Sequence, residues 1–141
     1  MFKTVINKME KYYVQICKSS RIELTPENIQ TVLSPESGVY IFYEEKHPIY
    51  VGRAMNIRNR ILQQHLSKRD TVSSSSFRMH LRDSGRVKEY KDIREYFLEH
   101  CALKFIKIDN YDDSLLLKAL LIKLWRKKYN LLHDNKYESG T

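Results

Sequence analysis

Two cysteines are all that this 141-residue chain contains. Cys17 and Cys101 match neither a disulfide framework nor the paired spacing of a zinc site. A chain of this length can bury one core without such staples. Free cysteines are among the most buried side chains, so two buried thiols in a reducing compartment are the expectation. No apolar run approaches the roughly 20 residues needed to cross a bilayer. The opening Met1-Phe2-Lys3-Thr4 lacks the apolar core of a secretory signal, and no internal repeat is visible. These absences point to an intracellular (cytoplasmic) protein without membrane attachment, most simply a single domain over 1–141.

What is present is charge, unevenly placed. The composition, 42% hydrophobic and 30% charged, is that of a soluble globular protein. Between Arg53 and Arg94 stand eleven Lys or Arg against four Asp or Glu, a net +7, leaving +1 of the total +8 for the rest. A basic segment in an otherwise balanced chain is the footprint of a polyanionic partner, nucleic acid being the commonest. Charge names a partner class and no chemistry.

The pattern of apolar residues predicts the elements. Val5, Met9, Tyr12, Tyr13 and Ile16 recur at helical spacing, and Thr25-Pro26 opens a second, short helix with Thr25 as its N-cap. These first 37 residues read as a helical extension. Val39 to Tyr43 is a β-branched and aromatic strand, Glu44 to His47 a turn, and Ile49 to Val51 the returning strand, with Pro48 at its first position. Asn56 caps a helix running to about Leu66. Residues 68–76, with four consecutive serines, read as a loop. Short helices follow over 77–81 and 90–98. A third strand spans Ala102 to Ile108, with Leu103 and Phe105 on one side and Lys104, Ile106 and Ile108 on the other, as for a strand covered on both faces. Asp109 to Asp113 reads as a loop before a long helix from Ser114 to Lys128, and the tail from His133 as polar and frayed. The sum is an α+β fold with a small sheet, about three-stranded and antiparallel or mixed, flanked by helices.

Gly38-Val39-Tyr40 lies on one strand, Tyr50-Val51-Gly52 on the next, and the helix that follows carries Arg60. Leu121-Ile122 and Asn130 close the last helix. This ordered set, over Gly38 to Asn130, resembles the core of the GIY-YIG nucleases, with an enlarged basic middle over 67–100 and a tail over 131–141. The resemblance implies a DNA endonuclease that hydrolyses phosphodiester bonds with one divalent cation, magnesium or another. Such hydrolysis needs an activated water, neutralised phosphoryl oxygens and help for the leaving oxygen. The resemblance implies Tyr40 as base or water-orienting group, Tyr50 beside it and Arg60 on the scissile phosphate. A tyrosine serves as a base only if a cation lowers its pKa. Gly38, Gly52 and Asn130 are motif positions, Gly52 allowing close backbone approach. Some members carry a histidine four residues after the arginine; this chain has His65 five residues after, on the apolar side of the helix by phase. His65 stays among the candidate catalytic residues beside the reading of a partly buried histidine.

Aligned through Leu121-Ile122 and Asn130, the family's metal-binding glutamate falls on Lys118. At 100° per residue Lys118 lies about 180° from Lys127 and about 140° from Lys123, on the side of Leu115, Leu121 and Ile122. It therefore points inward, where a lone charge is costly without a partner. Magnesium prefers carboxylate oxygens and an ammonium repels it, so no metal ligand is certain; Glu95, Glu99 and Asp113 are the nearest acids to consider. Three accounts compete: a nuclease crippled by a Glu→Lys change, a relative that binds without cutting, and a metal-free variant in which Lys118 supplies the cation's charge. Arg53, Arg58, Arg78, Arg82 and Arg86 are candidates for contacts to nucleic acid, most simply double-stranded DNA. A compact nuclease resembles restriction-type members and would cut both strands as a homodimer. The alternative is a non-catalytic nucleic-acid-binding protein on the same fold; a third class, a protein-partner domain, would have no affinity for nucleic acid.

Overall fold

The computed structural model describes residues 1–65 and 76–133. The expected loop over 68–76 lies outside the described residues but for the backbone of Ser76, as does the tail beyond His133. In chain order the elements are α1 (Phe2–Lys18), β1 (Ile22–Glu23), α2 (Pro26–Thr31), β2 (Gly38–Glu44), β3 (His47–Ala54) and α3 (Ile57–Asn59). A π-helix (Arg60–His65), α4 (Ser76–Asp83), a 3₁₀ turn (Tyr90–Asp92), α5 (Ile93–His100), β4 (Cys101–Lys107) and α6 (Tyr111–Tyr129) complete the set.

Side-chain caps explain several starts. Thr25 Oγ1 accepts the Asn28 N–H at 3.2 Å, and Asn56 Oδ1 accepts that of Asn59 at 3.0 Å. Asn110 Oδ1 likewise accepts the Asp113 N–H at 3.0 Å. This last cap corrects the expected loop over Asp109 to Asp113: α6 begins at Tyr111, and Asp112 and Asp113 stand in its first turn, where the helix dipole favours negative charge. The expected helix from Asn56 to about Leu66 is also different in kind. It makes three α-helical residues and then widens into the π-helix.

The sheet is antiparallel throughout, with strand order β1-β4-β2-β3. The hairpin of β2 and β3 turns at Glu45, whose φ is 55°, and sets Tyr40 opposite Gly52 and Gly38 opposite Ala54. β4 then pairs with the other side of β2, leaving β3 as an outer strand. β1 is the strand beyond the three expected, and its two residues are too few to carry an alternating pattern.

Each face of the sheet is covered. On one, Tyr40, Phe42, Tyr50 and Leu103 pack with residues of α2 to α5; Phe42 stacks on Phe97 at 4.8 Å between ring centroids and meets Phe77 at 4.9 Å. On the other, Val39, Ile41, Val51, Ile106 and Ile108 pack with Met9 and Ile16 of α1 and with Leu117, Leu121 and Trp125 of α6. Replacing Phe42 by Ala would cost about 3–5 kcal/mol in so enclosed a place. The alternation expected for β4 holds, and Lys104 escapes burial of its charge by donating to the Cys17 carbonyl at 2.7 Å. Glycine is required at Gly38, because a Cβ there would collide with the Ile106 carbonyl of β4. None of the described helices is long and apolar enough to cross a membrane.

Candidate active site along the outer strand

The residues singled out by pattern converge on β3. Tyr40 reaches across from β2 and lays its ring over Gly52, where any Cβ would overlap the ring and hydroxyl. The missing side chain at Gly52 therefore makes room for a tyrosine, a more specific service than general backbone approach. Burial raises the Tyr40 pKa well above its ordinary value and nearby Tyr50 adds to the rise, while Arg60 pulls the other way and loses. The phenol is thus protonated at neutral pH. Of the two roles expected for Tyr40, this environment disfavours the base and suits the orienting donor.

Tyr50 is held between two flat neighbours. Phe77 stacks on it at 4.1 Å with an interplanar angle of 13°, and His133 at 4.4 Å with an angle of 3°. His133 Nε2 lies 2.9 Å from the Val51 carbonyl, which can only accept, so the ring carries its proton there. Burial lowers the His133 pKa to about 4, with the cations Lys118 and Arg126 and the neighbouring His80 adding to the fall against the Val51 hydrogen bond. Leu132 N–H also donates to the Ile49 carbonyl, at 2.8 Å. The expectation that the chain frays from His133 is therefore corrected: backbone and ring bonds tie residues 132 and 133 to β3.

On the opposite side of β3, Arg53 Nε donates to Ser114 Oγ at 2.9 Å and the guanidinium lies 4.2 Å over the Tyr111 ring. Ser114 in turn donates to the Tyr111 carbonyl at 2.7 Å. Lys118 stands four residues further along α6, one turn above Ser114 on the same side. It is half-buried, with Leu117 and Leu121 buried beside it, while Leu115 turns outward at 39% exposure. Its pKa is lowered, first by burial and then by the charges of Arg53 and Arg60. Lys118, Arg53 and Arg60 thus share one neighbourhood, and among the described residues Lys118 makes no hydrogen bond or ion pair. Arg60 itself opens the π-helix and borders a shallow polar hollow with Asn56, Asn59 and Gln63.

This neighbourhood does not fit a divalent cation. No group of three or more His, Cys, Asp or Glu able to hold a metal occurs among the described residues. The acids considered for that place lie elsewhere. Asp113 is paired with Lys8 of α1 at 2.6 Å, and Glu95 and Glu99 line a hollow of α5 and the preceding segment.

The other basic candidates scatter. Arg58 donates twice to the Leu33 carbonyl, at 3.1 and 2.7 Å. Arg78 is 1% exposed and reaches the Tyr90 carbonyl at 3.4 Å, so its guanidinium lies in the interior and not on a DNA-facing surface. Arg86 forks onto the Glu44 carboxylate at 2.9 and 3.3 Å. Arg82 is exposed, its guanidinium 4.6 Å over the Tyr90 ring. Asn130 ends α6 in the left-handed region (φ 55°, ψ 55°), a conformation asparagine tolerates. The side chain of His65 lies outside the described residues, as does 67–75 of the basic middle segment. Ser114 and His133 were not foreseen. Ser114 had a signal, its four-residue spacing from Lys118; His133 had none.

The comparisons agree with one another. A family model described as the GIY-YIG catalytic domain matches residues 36–130. Curated relatives include UvrABC system protein C of Helicobacter pylori (strain Shi470), 36% identical over 106 residues, 74% of this chain and 16% of the relative. The same protein of Hydrogenobaculum sp. is 35% identical over 97 residues, 69% of this chain and 14% of the relative. The chain therefore spans only about a seventh of the length of these proteins. Among solved structures, the GIY-YIG N-terminal endonuclease domain of UvrC from Thermotoga maritima, bound to its catalytic divalent cation magnesium, is 27% identical with a TM-score of 0.44, covering 76% of this chain and all of that one.

Proposed function

Since the chain belongs to the GIY-YIG catalytic-domain family, we propose that it is a DNA endonuclease domain whose site lies along β3. In this chain, metal-assisted cleavage is impaired by Lys118. The observation that carries the reading is that the charge of Arg60 reaches both Tyr40 and Lys118, pulling down the pKa of each.

The chain's own residues supply part of a phosphodiester site. Arg60 and Arg53 supply guanidinium charge that attracts phosphate oxygens. The protonated Tyr40 donates a hydrogen bond, to a phosphoryl oxygen or to the attacking water, and so orients without taking a proton. Tyr50, clamped between Phe77 and His133, holds the floor of the site. A divalent ion would supply charge neutralisation at the phosphoryl and leaving oxygens, but no ligand set among the described residues fits one. Lys118 offers no oxygen to such an ion and repels it, so binding is retained and hydrolysis is lost.

The test is Lys118→Glu, assayed on supercoiled plasmid with magnesium beside the chain as it stands. The new carboxylate would sit between Arg53 and Arg60 and offer the missing oxygen ligands. Nicking is expected to rise on the order of 100-fold, the scale on which single groups stabilise such transition states. A folded, DNA-binding variant that gains no cleavage would sink the reading of an impaired nuclease. It would favour the second reading, a non-catalytic DNA-binding protein, which the cationic neighbourhood of Lys118 also suits. Restriction-type cutting of double-stranded DNA belongs to the first reading and needs two such sites, most simply in a homodimer. Linear product appearing with second-order dependence on protein concentration would mark it.

A further inference from the structure

We propose that Lys118 is a nucleophile toward the aldehyde of an abasic deoxyribose, giving this site a metal-free strand-breaking activity on damaged DNA. The proposal rests on the DNA-binding part of the function above and gives a use to the residue that spoils the metal site. It stands first on a cluster of groups. Arg53 is fixed to Ser114 one turn before Lys118 on the same side of α6, and Arg60 and His133 lie within electrostatic reach of the amine. Among the described residues no carboxylate engages the Lys118 amine. Burial and two guanidiniums destabilise its ammonium form, the two environments that turn lysines into amine nucleophiles. The Lys118 side chain is nevertheless only half-buried and so is not sealed off from solvent.

The substrate class follows from the chemistry. A lysine amine forms Schiff bases with carbonyl carbons, and in DNA the carbon of that kind is the C1′ aldehyde of a sugar that has lost its base. The phosphates on either side of that sugar suit Arg53 and Arg60. The neutral amine adds to C1′, a proton is taken from solvent and water leaves, giving an iminium. That iminium acidifies C2′, whose proton passes to solvent. The electron pair of the C2′–H bond forms the C2′–C3′ double bond as the C3′–O bond breaks, the 3′-phosphate departing with the pair of the broken bond. Water then hydrolyses the imine, returning the amine and releasing an unsaturated aldehyde on the sugar. No oxidant and no metal enters the balance.

The test uses the full chain with a duplex oligonucleotide containing one abasic site, in chelator, with borohydride to reduce the imine to a stable amine. A covalent protein–DNA band is expected, formed faster as pH rises, with a midpoint below that of an ordinary lysine. Lys118→Arg, which keeps the charge and removes the nucleophilic amine, should lower trapping about tenfold or more, while Lys123→Arg on the exposed side of α6 should not. Undiminished trapping by Lys118→Arg, or no band from a chain that binds the abasic duplex, overturns the inference and leaves DNA binding intact. A chain that binds no DNA at all overturns both the inference and the function it rests on.

Discussion

His133 is held three ways at once, by the face of Tyr50, by the Val51 carbonyl and by exclusion from water. Exclusion from water favours the neutral ring and outweighs the Val51 hydrogen bond, which favours the charged one. Its folded-state pKa of about 4 lies below the ordinary value of 6.5, so the unfolded chain takes up the proton first as pH falls. Stability contributed by this residue is complete above about pH 6.5, declines between there and about pH 4, and is gone below. The span corresponds to about 3 kcal/mol at most. Thermal unfolding followed from pH 7 to pH 4 should show that loss, and His133→Gln should flatten the profile over the same interval. An unchanged slope in the variant would mean that other groups carry the acid sensitivity. At this scale the site is one of suppressed charge: Tyr40 is kept a phenol, His133 a neutral ring, and Lys118 is pushed toward its amine.

Among the elements, the junction of α3 and the π-helix departs from α-helical hydrogen bonding and is anchored from outside the helix. Arg58, one of the expected DNA contacts, is instead tied to the carbonyl at the end of α2 by two charge-assisted bonds. The backbone adds two more, Arg58 N–H to the Ser34 carbonyl at 2.9 Å and Ile57 N–H to that of Glu36 at 3.0 Å. Arg58→Ala should lower stability by about 1.5–3 kcal/mol, the worth of hydrogen bonds to a charged group. It should leave the salt dependence of DNA binding where it was. Denaturant midpoints and a salt titration separate the two effects, and a shallower salt slope would return Arg58 to the DNA contacts. The hairpin was legible because β-branched and aromatic residues, Pro48 and two glycines agree about it locally. The inward turn of Lys118 was legible because a helix repeats every 3.6 residues. Nothing local marks the widening at Arg60, since i→i+5 bonding uses the same residues as i→i+4. Nor could charge alone distinguish Arg86, paired with a glutamate 42 residues away, from a surface arginine.

For the whole molecule, one sheet separates two apolar layers, and the candidate site lies where its outer strand meets both. One apolar groove stays open between α1 and α6, where Phe2, Ile6, Leu120 and Leu124 are exposed. The short segment after α6 has a wider consequence. An unpaired strand is a template for another chain, and proteins guard such edges against aggregation. Here Leu132 and His133 occupy the Ile49 and Val51 carbonyls, and buried Leu131 anchors them on the layer below. A chain ending at Asn130 should fold its sheet yet self-associate with time, measured by light scattering and by an amyloid-binding dye against a chain ending at His133. A shorter chain that stays monomeric would show that the edge needs no guard. On this account three residues past the last helix decide whether the protein stays in solution, and any shortened version meant to be handled alone must keep them.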